Sequence, residues 1–466
     1  MINLSVRQIA AAVDGVVHGD AEVMVTGSVE TDSRLVGVGS LFVAKPGEIT
    51  DGHEFVSAAS AAGAVAALVE RKLDNANLTQ IVVKDSVIAL GALAKFVLSE
   101  IRKTSDLKVI GVTGSNGKTT TKNMLNAILS AAAETIAPIE SYNNEVGAPY
   151  SILQTTSKTK FLVVELGAGG LGSIDYLTKI AQPDIGVILK VGLAHVGEFG
   201  GIETTAKIKS ELAKAMPKSS TLILNADDGY VVDMAELPSA QKIWFGTSSD
   251  ANYQATDQKV SINGTSFNLH WPDGQVSEIS LQILGEHHVM NALAAASVAD
   301  HLQIPRGEIV RALEAMPLAE RWRMQVLNRP DGVTIINDAY NASPDSMRAA
   351  LQTLATLGRQ GHRTIAVLGE MAELGSESVS QHDEIGRLVV RLNIDQLFVV
   401  GQGAKLIHLG AMQEGSWDGE SKFVDSIDEA LQLVRGLLGS GDIVLVKSSK
   451  SANLRFLGDA LAEVEQ

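Results

Sequence analysis

The run Gly111-Val112-Thr113-Gly114-Ser115-Asn116-Gly117-Lys118-Thr119-Thr120 joins glycines, a lysine and hydroxyls at spacings suited to holding phosphate. Backbone N–H groups at a helix N-terminus can surround such an anion. Lys118 would add charge near the outer phosphates, and the Thr119 hydroxyl can bind Mg²⁺. The spacing departs from the common pattern G-x-x-x-x-G-K-S/T, because Val112 stands where that pattern has glycine. A plain structural turn is the competing reading. The flanks decide against it: Leu107 to Ile110 reads as a buried strand, and Met124, Leu125, Ile128 and Leu129 recur on one helical face.

Other reactive side chains follow further strands. Glu165 ends the apolar run Phe161-Leu-Val-Val-Glu and is placed to meet Mg²⁺, or is a solvated strand-end acid. His195 follows another strand, as a ligand or as a structural imidazole. The segment Ile202 to Met216 reads as a helix. At about 100° per residue, Ile202, Thr205, Ala206, Leu212, Ala213 and Met216 lie within about 60° of Lys209. Lys207, Glu211 and Lys214 fall on the opposite face. Lys209 therefore projects from the apolar stripe, and burial should lower its pKa. A neutral amine can add carbon dioxide and become a carbamate able to ligate Mg²⁺. The alternative is a lysine whose stem is buried and whose amine reaches water. Asn143-Asn144 precede Gly147-Ala-Pro, either to orient a substrate or to cap a helix. Asp338, Tyr340 and Asn341 bring an acid, a phenol and an amide to a strand end, with Arg323 upstream. Asp32, Ser33, Arg34, Gly47, Asp51 and His53 form a polar group whose chemistry alone is uninformative.

These residues need elements to position them. Residues 1 to about 84 mix short strands with an alanine-rich helix expected over Val56 to Val69. Residues 86–102 form an amphipathic helix. From 107, strands at Phe161–Val164, Ile185–Leu189 and Thr221–Leu224 alternate with helices, the signature of a covered parallel sheet. Short strands follow between about 241 and 282, with Asn263-Gly264 as a hairpin signal, and then a helix, His287 to Leu302. A third unit begins near Leu318. Its strands at Thr334–Ile336, Thr364–Leu368, Leu397–Val400 and Ile443–Val446 again alternate with helices. Ser343-Pro344-Asp345 opens the first of those helices as cap, proline and first-turn acid. A hinge is expected near Met316-Pro317-Leu318.

Composition narrows the function. The 466 residues are 45% hydrophobic and carry a formal charge of −16, with no basic cluster. General nucleic-acid binding needs a positive surface, so none is expected. Cysteine is absent, which excludes disulfides, thiolate nucleophiles and thiolate zinc sites. The start lacks a signal-peptide pattern, and no apolar run nears the ~20 residues that span a bilayer. A cytoplasmic monomer without membrane insertion is the expectation.

Taken together, these motifs resemble the Mur ligases of peptidoglycan synthesis, over nearly the whole chain. The resemblance rests on Thr31-Asp-Ser-Arg, Leu41-Phe-Val-Ala, Thr113-Gly-Ser-Asn-Gly-Lys-Thr-Thr, Asn143-Asn-Glu-Val-Gly-Ala-Pro and Val164-Glu-Leu-Gly-Ala. It extends through His287 to Asn291 with the following Ala-Leu-Ala-Ala, Asn337-Asp-Ala-Tyr-Asn-Ala-Ser-Pro and Leu368-Gly-Glu-Met-Ala-Glu-Leu-Gly. The Asp-Asn-Pro-Arg motif of diaminopimelate-adding relatives is absent. Where the family often reads Lys-Gly-Ser-Arg, this chain has Lys447-Ser-Ser-Lys450.

The resemblance implies an α/β protein of three domains: a small mixed α/β domain binding the UDP-sugar (1–84), a central P-loop parallel-sheet ATPase domain (85–316) and a C-terminal Rossmann-like ligase domain (317–466). It implies ATP and Mg²⁺ as cofactors, and UDP-N-acetylmuramoyl-tripeptide and D-Ala-D-Ala as substrates. It assigns Thr113, Gly114, Ser115, Asn116, Gly117, Lys118, Thr119 and Thr120 to ATP. Thr119, Glu165, His195 and a carbamylated Lys209 become magnesium contacts, and His287 and Asn291 nucleotide contacts. Arg323 and Asp338 would close over the phosphates and ribose. Ser33, Arg34, Asn143, Asn144, Tyr340, Asn341 and Lys447 would meet the substrates. The rivals are a P-loop switch or transport ATPase driving a partner, and another amide ligase of the same family.

Overall fold

The computed structural model describes residues 1–47, 50–74, 77–138, 141–194, 196–237, 241–316, 321–415 and 420–463. His195, Pro317 and Leu318 lie outside these residues. Three sheets dominate the described chain, as the strand–helix alternation predicts. The first has five strands in the order Val16–His18, Thr79–Val82, Ala66–Val69, Leu41–Val43, Val29–Glu30. Only the pairing of its first two strands is antiparallel.

One expectation fails here. The helix foreseen over Val56 to Val69 ends at Ala62, and Ala66–Val69 is a fully buried strand. Gly63, at φ 111°, stops the helix in a left-handed conformation that glycine adopts without strain. Alanine suits a helix by propensity, but burial between two parallel neighbours overrides it.

The second sheet has nine strands. Lys108–Thr113 lies at its heart, with Phe161–Glu165 on one side and Ile185–Ile188 on the other. Thr135–Ile136 forms one edge beyond Phe161–Glu165. On the other side follow Thr221–Asn225, Gln241–Gly246, and an antiparallel set of Tyr253–Ser261, Gly264–His270 and Val276–Leu281. The chain leaves Lys108–Thr113 toward both sides, and ligands of such sheets sit at that switch, past the carboxyl ends of the strands. The helix Lys118–Ala132 starts there. Met124, Leu125, Ile128 and Leu129 are all fully buried, so its first turn is fixed by about 1.5–3 kcal/mol per side chain.

The third sheet runs Gln325–Asn328, Thr334–Asn337, Ile443–Lys447, Thr364–Leu368, Gln396–Val400, Ser421–Val424, parallel apart from the first pair. Helix Pro344–Gly358 starts as its sequence dictates, with the Ser343 side chain accepting from the Ser346 N–H and proline in the first turn. Helix Ser86–Arg102 has nine buried residues and packs into one continuous core that reaches from Leu4 in the first unit to Met234 in the second. The Tyr150 hydroxyl reaches Glu30 at 3.2 Å, joining the same two units. No described helix is long and apolar enough to cross a membrane.

Candidate functional site

The phosphate-type loop turns on two glycines with left-handed or near-extended backbones, Gly114 at φ 150° and Gly117 at φ 86°. A Cβ on Gly117 would meet Asn291 Oδ1 at 2.3 Å, so only glycine lets helix His287–His301 come so close. Lys118 Nζ donates to the loop's own Gly114 carbonyl at 2.8 Å. It curls back over the loop where an anion would sit. Burial lowers its pKa, with Arg323 adding to the effect and Glu165 opposing it. The loop is tied to neighbouring strands: Thr113 Oγ1 donates to Leu166 O at 2.9 Å, and Ser115 N donates to Lys190 O at 2.8 Å.

Glu165 is 1% exposed. Its carboxylate accepts from Thr119 Oγ1 at 3.2 Å and from Asn143 Nδ2 at 2.8 Å. A buried carboxylate whose direct hydrogen-bond donors are a hydroxyl and an amide offers oxygen ligands that suit a hard cation. Two oxygens, the Thr119 hydroxyl and Glu165, then fit Mg²⁺, which retains several waters. Among the described residues no group of three His, Asp or Glu side chains forms a further metal centre.

Lys209 is 3% exposed, whereas Lys207 faces water, as the helical spacing predicts. Glu211 departs from that prediction: it is half-buried and accepts from the Gly172 and Asp175 N–H groups, capping helix Ser173–Ala181. Desolvation drives the Lys209 amine well below the usual lysine range, and the nearby Lys118 charge adds to this.

The third unit closes the site. Arg323 donates to Ser141 Oγ at 3.2 Å and lies over the Tyr340 ring at 4.1 Å. Asp338 accepts from Met324 N at 2.9 Å and holds Lys447 Nζ at 2.5 Å. Lys447 is buried and also donates to the Asn341 carbonyl. Its ammonium is thus held within the third unit by Asp338 and Asn341, at the wall of the site. The His287 and His288 rings lie 4.1 Å apart between centres, tilted by 42°. Burial pushes His287 down to about 4 despite the Asp338 charge, so its ring is neutral at pH 7.

One cavity of about 340 Å³ is lined by Ser115 to Thr120, Asn143, Glu165, His287, Asn291, Arg323, Asp338, Tyr340, Asn341 and Lys447. Residues foreseen from seven separate stretches therefore converge. A larger cavity of about 870 Å³ adjoins it through Asn116, Gly117, Lys190, His287, Asn291 and Asp345, and is walled by Phe245 and Met290. Asn144 lines neither; it accepts from the Gly147 and Val146 N–H groups as a helix cap. Ser33 and Arg34 sit apart on the short helix Ser33–Leu35, where Arg34 is exposed and pairs with Asp32. His195 lies outside the described residues.

Sequence reasoning missed Ser141, His288 and Asp345. Asp345 accepts from Leu193 N at 2.9 Å and lies 3.7 Å from Lys190 Nζ, joining the third unit to the second. Its place in a first helical turn gave a complete local reason for an acid, which hid the tertiary one.

Three family descriptions match the chain: "Mur ligase family, catalytic domain" over 26–97, "Mur ligase middle domain" over 112–299 and "Mur ligase, glutamate ligase domain" over 322–450. The UDP-N-acetylmuramoyl-tripeptide–D-alanyl-D-alanine ligase of Mycobacterium tuberculosis is 42% identical, covering 99% of this chain and 98% of its own. The crystal structure of MurF from Acinetobacter baumannii superposes with a TM-score of 0.89 at 33% identity, covering 99% of both chains. MurF ligase from Thermotoga maritima, in complex with ADP, gives 0.82 at 27%, covering 94% of this chain and 98% of that one. With its phosphate loop, its three sheets and relatives matched from end to end, the chain belongs to the Mur ligase family.

Proposed function

We propose that the chain is an ATP-dependent amide ligase that adds D-alanyl-D-alanine to UDP-N-acetylmuramoyl-tripeptide in peptidoglycan precursor synthesis. The observation that carries this reading is the single cavity in which Lys118, Glu165, Arg323 and Asp338 meet across two sheets. It offers charge and positioning for phosphoryl transfer, and the chain has no cysteine to act as a thiolate.

In this reading residues 1–84 hold the UDP-sugar with Ser33 and Arg34, 85–316 hold ATP, and 317–466 bring the dipeptide near Tyr340 and Asn341. The nucleoside would occupy the larger cavity beside His287 and Asn291. The peptide's terminal carboxylate attacks the γ-phosphorus, and the bond to ADP breaks. The dipeptide amine attacks the acyl phosphate carbonyl, sheds a proton and expels phosphate. Lys118 and Arg323 hold the transferring group, and the third unit keeps water from the acyl phosphate. Thr119 and Glu165, joined by His195 and a carbamylated Lys209, would hold Mg²⁺. The cation offsets phosphate charge when bound.

Phosphate release should require both UDP-N-acetylmuramoyl-tripeptide and D-Ala-D-Ala. Release driven by a macromolecule without dipeptide would favour a switch ATPase, and release with another amine a different ligase. Arg323 touches Ser141 of the central unit, so Arg323→Ala should lower kcat about 10²–10³-fold. ATP affinity measured by calorimetry should change by no more than roughly threefold, because the contact matters mainly in the transition state. Equal losses, with full recovery at saturating ATP, would reduce Arg323 to a nucleotide-binding residue. The matching probe at Asp338 is Asp338→Asn, since alanine there would strand the buried Lys447 ammonium.

A further inference from the structure

The short helix Val196–Phe199 of the central unit touches the third unit at its short helix Gly375–Glu377. Gly197 N donates to Glu373 O at 3.3 Å. A Cβ on Gly197 would lie 2.3 Å from Gly375 N and 2.4 Å from the Leu374 carbonyl carbon, both backbone atoms. In reverse, a Cβ on Gly375 would lie 3.0 Å from Gly197 Cα. Beside this contact Val196 is buried in the third unit's core with Met371 and Leu374. The receiving loop is braced within its own unit. Gly369 N donates to Lys447 O, Ser449 N donates to Glu370 O, and His382 Nε2 accepts from Met371 N at 3.0 Å. Glu373 and Gly375 both hold left-handed backbones, at φ 64° and 53°.

Two rigid backbones therefore meet where neither can carry a side chain. We propose that Gly197 and Gly375 are positioning residues: a backbone-on-backbone docking point that sets how deeply the third unit seats on the central one. That seating places Arg323 against Ser141 and Asp345 against Leu193 at the phosphate loop. The docking stands independently of the ligase reading, whereas its effect on turnover rests on it.

Gly197→Ala separates docking from folding. Gly197 has no positive φ and lies in a helix, so alanine suits the free central unit. Gly307→Ala, at a helical glycine with open space around its Cβ, is the control. In the wild type and the control, small-angle scattering with Mg²⁺ and a non-hydrolysable ATP analogue should give one compact particle. Gly197→Ala should keep its melting temperature and its affinity for the analogue within about twofold. It should give a larger radius of gyration and lower kcat by roughly 10²-fold, the penalty of a misplaced reacting group. Gly375→Asn is the second variant, because asparagine tolerates a left-handed backbone but still carries a Cβ. It should open the particle in the same way. Unchanged scattering in both variants would overturn the proposal. A wild type that docks but releases no phosphate with D-Ala-D-Ala would refute the ligase reading and leave the docking point standing.

Discussion

Lys118→Ala is expected to lower ATP-dependent ligation by about 10³-fold while shifting the melting temperature by no more than about 2–4 °C. The ammonium makes its hydrogen bonds to the loop carbonyls of Gly114 and Ser115. Its loss leaves helix Lys118–Ala132 seated by Met124, Leu125, Ile128 and Leu129. What disappears is a positive charge held beside Glu165 and Arg323 at low solvent exposure, where it acts far more strongly on phosphate than in water. Phosphate release at saturating ATP, beside a thermal melt, decides the matter. Normal turnover would remove Lys118 from the phosphates.

The second large effect separates two lysines on one helix. Lys209→Met should lower activity about 10²–10³-fold and at the same time raise the melting temperature at pH 7. Lys207→Ala, on the wet face, should change neither appreciably. The sign follows from linkage. Burial lowers the folded-state pKa of Lys209, so between that value and the unfolded lysine value the unfolded chain binds the extra proton. Wild-type stability therefore rises with pH across that window. The advantage of methionine should shrink as pH climbs from 7 toward 10. If carbamylation completes the site, added bicarbonate should raise wild-type turnover and leave Lys209→Met unmoved. Identical behaviour of the two lysine variants, or no pH dependence in the melting difference, would contradict the burial argument.

Contiguous chemistry was the part most legible in the sequence. The phosphate loop carries its glycines, lysine and threonine in one run, so neither fold nor partner was needed to read it. Lys209 was legible for a different reason: helical periodicity alone assigns a face, and the face proved buried. Contacts between units left no mark in local spacing. Nothing in the spacing of Asp345 announces Leu193, more than a hundred residues away. Lys447 shows a subtler gap. A strand-end lysine has a predictable position but not a predictable direction, and this one turns inward to Asp338. The strand Ala66–Val69 was misread because alanine reports helix propensity until its neighbours are known.

Helix Ser86–Arg102 ties the first sheet and the central sheet into one apolar core. The two therefore melt and refold as a single cooperative block, even though one is expected to serve a sugar nucleotide and the other ATP. Local damage in either is shared by both. Excising residues 1–84 would not release a free-standing ATPase, because helix Val6–Ala12 packs on helix Ser86–Arg102 and Ile9 and its neighbours belong to the core that the two units share. An apolar face newly bared by such a cut is a route to aggregation.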